Sequence, residues 1–126
     1  MEKKTVFAPN APKPVGAYSH GIIVNGLYFS AGQIALDPKT NEMVLDDIEK
    51  EARQVMENMK SLLEAAGTSY DNLVKANLYI TDLNDFTKID NVYKEYVTKD
   101  FPGRTCVQVS GIPKGGHIEI EVVATV

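Results

Sequence analysis

The chain has a single cysteine, no tryptophan, only two histidines and no long apolar run. Each absence narrows what the protein can be. One cysteine, Cys106, cannot form an intramolecular disulfide, so the fold does not depend on oxidation and a reducing compartment is expected. His20 and His117, with that one cysteine, lack the spacing of a zinc site, and no metal is expected. No apolar stretch reaches the roughly 20 residues a membrane-spanning helix needs. The opening segment, MEKKTVFAPNAPKP, lacks the apolar h-region of a secretory signal. A cytoplasmic protein with no membrane partner is the expectation. Positive charge is also scarce: 13 Lys and Arg against 17 Asp and Glu leave a net charge of -4. Without a basic run there is no broad field for nonspecific nucleic-acid binding, and no nucleic-acid partner is expected.

What is present fits one domain spanning residues 1–126 with one hydrophobic core. Pro9, Pro12 and Pro14 imply an extended segment between Ala8 and Gly16. Asn25-Gly26 between IIV and LYFSA predicts a hairpin closed by a type I′ turn, because both residues tolerate positive φ. Asp37 to Asn41 reads as a turn. From Asp46 to Ala66, Ile48, Ala52, Val55, Met59, Leu62 and Ala66 recur at helical steps. Asp46 and Glu49 suggest a capping box, and Gly67 a C-terminal cap. Leu73 to Thr81 reads as a strand. Phe86, Ile89, Tyr93 and Tyr96 or Val97 mark a second helix, capped by Asp82 or Asn84. Val107 and Val109 belong to one more strand and Ile118 to Val126 to the last, with a short first strand at Thr5–Phe7. This order predicts an α/β (α+β) fold, a mixed sheet with both helices on one face. The other face would stay open, or be covered by a second copy of the chain.

Alternation assigns faces within the last two strands. Arg104, Cys106 and Gln108 point one way, Thr105, Val107 and Val109 the other. Ile118, Ile120, Val122 and Ala124 share a face opposite His117, Glu119 and Glu121. If both apolar faces meet the helices, Arg104, Cys106 and Glu119 lie together on the open side. Arg104 presents a planar fork suited to a carboxylate, and Glu119 a group able to hold or deprotonate water. Spacing alone favours a salt bridge from Arg104 to Glu119 or Glu121, because charged residues are common on polar strand faces. Cys106 reads as a small buried hydrophobe in preference to a nucleophile activated by His117. His20 reads as a hydrogen-bonding or exposed residue, and Gly115-Gly116 as a turn and not a phosphate loop.

Several stretches in order carry a resemblance across nearly the whole chain: VGAYSHGI, LYFSAGQI, EARQVMENMKSLLEAAG, VKANLYITDLNDF, FPGR and IPKGGHIEIEVVA. Together they resemble the RidA/YjgF family of enamine/imine deaminases. The resemblance implies a chorismate-mutase-like fold and a homotrimer whose sheets form an inner barrel, with sites between subunits. It implies hydrolysis of 2-iminobutyrate and 2-iminopropanoate, released by pyridoxal-phosphate dehydratases, to 2-oxo acids and ammonia, with no cofactor of its own. It assigns the substrate carboxylate to Arg104, a backbone N–H contact to Cys106 and the attacking water to Glu119. Tyr18, Ala31, Gly32 and Asp90 fall at pocket positions. It also implies that a further strand lies between those of Arg104 and Glu119. Departures occur at Ala17 and His20, at Ala31 (often serine), at Gly103 (often alanine) and at Asp90 (often asparagine). A non-catalytic 2-oxo acid-binding module is the alternative reading, and action on RNA a weaker one.

Overall fold

A computed structural model describes residues 2–126. The strands are β1 (Lys4–Val6), β2 (Gly21–Val24), β3 (Leu27–Ser30), β4 (Leu73–Ile80), β5 (Gly103–Gln108) and β6 (Ile118–Thr125), and the helices α1 (Ile48–Ala66) and α2 (Phe86–Tyr96). The strands form one sheet in the order β1-β2-β3-β6-β4-β5. Only β4 and β5, joined through α2, run parallel. β6 enters between β3 and β4, antiparallel to both, so the loop after β5 carries the chain past β4.

Local chemistry explains most boundaries. Asn25 (φ 53°) and Gly26 (φ 75°) close the β2–β3 hairpin as their tolerance of positive φ predicts. Helix α1 starts one residue later than the expected box. Asp47, not Asp46, is the cap, and its side chain accepts the Lys50 N–H at 2.8 Å. At the far end Gly67 turns left-handed (φ 81°), and the Gly67 and Thr68 N–H groups donate to Glu64 and Leu63 carbonyls. Asp82 caps a short 3-10 turn ahead of α2 and does not cap the helix itself.

Both helices pack on one face. Ala52, Val55 and Met56 of α1 and Ile89 and Tyr93 of α2 meet Leu78, Ile118 and Ile120 of the sheet. Burial of these apolar side chains, at about 1.5–3 kcal/mol each for the larger ones, supplies the main drive for this layering. On the opposite face Phe29 and Val107 remain 42% and 41% exposed. No helix of the described residues covers that face, and none is long and apolar enough to cross a membrane.

Two expectations about faces are corrected. The β4–β5 register sets Arg104 beside Ala76 and Cys106 beside Leu78, while Glu119 lies beside Tyr79. Ala76 and Leu78 point at the helices, so Arg104 and Cys106 do too, and Val107 looks out on the open face with Glu119. Arg104 and Glu119 therefore sit on opposite sides of the sheet. The apolar valines misled because β5 is an edge strand, where the register to β4 and not hydrophobicity decides the facing. His117 also leaves the expected face. It precedes β6, and its Nδ1 bonds the buried Glu51 of α1 at 2.8 Å.

Candidate functional site

Arg104 is held at the margin of the helical layer. Its guanidinium carbon lies 5.3 Å from the centre of the Phe86 ring and 4.8 Å from that of Tyr93. Nη1 donates to Asp90 Oδ1 at 2.6 Å. Its salt-bridge partner is thus Asp90, and neither Glu119 nor Glu121. Arg104 lines a cavity of about 360 Å³ with Asp90, Tyr93, Lys94, Val97, Phe101 and Pro102. Asp90 uses one of five guanidinium N–H groups, and no other hydrogen-bond partner of Arg104 occurs among the described residues. A fork for a carboxylate remains. Phe86, Tyr93 and Lys94 were not expected here. Their spacing from Asp90 on α2 puts all four on one helical face, a signal present in the sequence.

Cys106 follows on the same face. Burial pushes its thiol above the ordinary value, with Arg104 only partly opposing. His117 is occupied by Glu51, so no base activates the sulfur. The main chain is better placed. The Val109 N–H donates to the Ile80 carbonyl at 2.8 Å. Alternation along β5 then turns the Cys106 N–H away from β4, toward the sheet's free edge.

A second hollow lies on the other side. Tyr18, Ala31, Gly32 and Glu119 line a cavity of about 450 Å³ with Val15, Ile34, Pro113 and Lys114. The Glu119 carboxylate accepts no hydrogen bond among the described residues, whereas that of Glu121 accepts from Tyr79 Oη at 2.5 Å and Asn77 Nδ2 at 3.2 Å. Burial, and secondarily the Glu121 charge, raise the Glu119 carboxyl above its ordinary value. Gly32 is glycine for a local reason: a Cβ there would overlap the Glu119 carboxylate. The segment bearing Tyr18 is tied down by buried His20. Its Nδ1 accepts the Ala8 N–H and its Nε2 donates to the Pro12 carbonyl, each at 2.8 Å. The His20 carbonyl accepts the Ala31 N–H at 2.9 Å, joining this segment to the cavity wall.

The predicted residues thus form two groups: Arg104, Asp90 and Cys106, and Tyr18, Ala31, Gly32 and Glu119. Two strand spacings and three residues of register separate Arg104 from Glu119, about 14 Å between backbones, on opposite faces. No cluster of His, Cys, Asp and Glu that could hold a metal occurs among the described residues.

Residues 8–126 match the family described as Endoribonuclease L-PSP. A RutC family protein of Pyrococcus horikoshii is 48% identical over 97% of each chain. The 2-iminobutanoate/2-iminopropanoate deaminase of Bos taurus is 37% identical, over 98% of this chain and 90% of its own. The crystal structure of Escherichia coli TdcF with bound serine superposes with a TM-score of 0.92 at 37% identity, covering 98% of each chain.

Proposed function

The chain belongs to the RidA/YjgF family, and from that premise we propose that it hydrolyses short 2-imino acids, such as 2-iminobutyrate and 2-iminopropanoate, at sites assembled between copies of a cytoplasmic homotrimer. The observation that carries this reading is the division of the site: a carboxylate fork on one face of the sheet and a raised, unpartnered carboxyl on the other. Two copies with the edge of one against the open face of the next would join the halves. The uncovered Phe29 and Val107 supply apolar surface for such a contact. The deaminase relative and the serine bound to TdcF support a small ligand bearing a carboxylate.

Chemistry follows from these groups. Arg104 takes the substrate carboxylate through two parallel N–H bonds, and the outward Cys106 N–H donates to the same end. The iminium carbon is electrophilic once its nitrogen is protonated. Glu119, ionised, takes a proton from water as its oxygen bonds to that carbon. The proton passes from Glu119 to the carbinolamine nitrogen, the C–N bond breaks to release ammonia, and Glu119 takes the hydroxyl proton, leaving the 2-oxo acid. The energetic task is orientation of substrate and water, with no cofactor in any step. RNA cleavage, which the family description names, finds less support in a chain of net charge -4.

The test couples the protein to a threonine dehydratase and follows 2-oxobutyrate release. Arg104→Ala should return the rate to that of the dehydratase product hydrolysing unaided, while Cys106→Ala keeps most of the acceleration. Near-normal activity in Arg104→Ala would refute the fork. Saturable 2-oxobutyrate binding with no acceleration by the wild type would make the protein a binding module.

A further inference from the structure

Asp90 is the middle member of a line of three charges, between Arg104 and Lys94. It accepts the Arg104 Nη1 bond at 2.6 Å through Oδ1, and the other Asp90 oxygen lies 3.3 Å from Lys94 Nζ. Asp90 and Lys94 stand one turn apart on α2, and all three side chains line the same cavity. Asp90 is the least exposed at 16%, Arg104 is 28% exposed, and Lys94 stands out at 64%. Burial pushes the Asp90 carboxyl up, but the hydrogen bonds from Arg104 and Lys94 outweigh it and hold it below the ordinary aspartate value. Asp90 therefore stays ionised at neutral pH.

An ionised carboxylate on the group meant to bind a carboxylate is a direct competitor. Alone, it would cancel the guanidinium charge that an anionic substrate needs. With Lys94 the line keeps one net positive charge. Geometry matters as well, since the planar guanidinium touches two rings, Phe86 and Tyr93, and is pinned at one corner only. That single bond fixes the rotation of the fork and leaves its remaining N–H groups for a ligand.

We infer that Asp90 is a positioning residue that orients Arg104 and tempers its pull on anions, and that Lys94 offsets the tempering, so the Asp90–Lys94 pair sets the affinity of this site for monocarboxylates. The inference rests on reading Arg104 as the carboxylate fork. It predicts a charge ladder that packing alone would not produce. In Asp90→Asn the amide oxygen still accepts the Nη1 bond while one negative charge is gone, so the Kd for 2-oxobutyrate should fall about three- to tenfold. In Lys94→Met the line becomes neutral and the Kd should rise about two- to fivefold, as expected for an exposed charge. The double variant restores one net positive charge and should return to within about twofold of the wild type. Asp90→Ala frees the guanidinium, and KM for the imine should rise by more than kcat falls, with rescue by Asp90→Asn.

Isothermal calorimetry with 2-oxobutyrate and the dehydratase-coupled assay on the intact protein read these effects separately. An Asp90→Asn variant no tighter than the wild type, or a double variant no closer to it than Lys94→Met, overturns the inference; the same ladder holds if Asp90→Ala fails to fold. Binding along the ladder without imine hydrolysis would keep the inference and sink the proposed activity. Hydrolysis with a flat ladder would do the reverse, and a wild type that neither binds 2-oxobutyrate nor hydrolyses imines would sink both.

Discussion

Gly32→Ala separates the proposed catalytic half of the site from the proposed binding half. The φ of Gly32 lies outside the left-handed region, so alanine brings no backbone strain. Its Cβ would sit 3.0 Å from Glu119 Cδ and 3.3 Å from Cγ, and would overlap Oε2. The backbone has little room to yield. The next residue, Gln33, exchanges two hydrogen bonds with Ile120, at 2.8 and 3.1 Å, which pins this segment to β6 beside Glu119. The carboxylate must move instead. To reach ordinary separations of about 3.5–4.0 Å it has to retreat by more than about 1 Å. A misplacement of that size costs on the order of 100-fold in rate. Stability should hardly change. A compatible Gly→Ala change stabilises by about 0.4–1 kcal/mol, and a displaced rotamer costs a similar amount. In the coupled dehydratase assay kcat should therefore fall about 100-fold. The thermal midpoint should stay within about 5 °C of the wild type. The 2-oxobutyrate Kd should change by less than about threefold, because the added Cβ meets only Glu119 and leaves the Arg104 fork of the neighbouring copy unchanged. Wild-type kcat in Gly32→Ala would refute the role of Glu119. Equal losses of kcat and binding would refute the separation of the two halves.

Two further outcomes follow from titration and from the buried histidine. The Glu119 carboxyl is raised by burial and by Glu121, so folding favours its protonated form. Stability from this group is present at low pH and lost as pH rises through its folded pKa. Glu119→Gln should thus match the wild type in acid and exceed it in thermal midpoint as pH rises above the ordinary value of 4.5, while losing turnover; a midpoint difference independent of pH would contradict this. His20→Ala strands the Ala8 N–H and the Pro12 carbonyl and should destabilise by about 2–4 kcal/mol in urea unfolding, with His20→Gln recovering part of it; an unchanged urea midpoint would show that the clamp contributes nothing.

Local features were legible because their causes are local. Asn25-Gly26 and Gly67 adopt the positive φ their identities allow, and the apolar stripe of α1 faces the sheet as its period requires. The alternation of Arg104 and Cys106 against Thr105 and Val107 was equally plain. Which set meets the helices was not, because that depends on the β4–β5 register, a contact between distant segments. His117 shows the same limit: a buried carboxylate on α1, 66 residues away, draws it off the face that period-two spacing assigns. The family resemblance named Asp90, Arg104, Tyr18, Ala31, Gly32 and Glu119. The coordinates supplied their division into two hollows, and the aromatic and lysine neighbours of Arg104.

That division makes the central claim testable by mixing. Arg104→Ala and Glu119→Gln subunits are each inactive alone if a site takes its arginine from one copy and its carboxylate from the next. Co-refolded in equal amounts into the proposed trimers, they should regain about one quarter of wild-type activity, the share of interfaces that pair an intact arginine with an intact glutamate. Activity near that fraction, appearing only after subunit exchange, is the predicted result. Mixed oligomers as inactive as either parent would contradict the account.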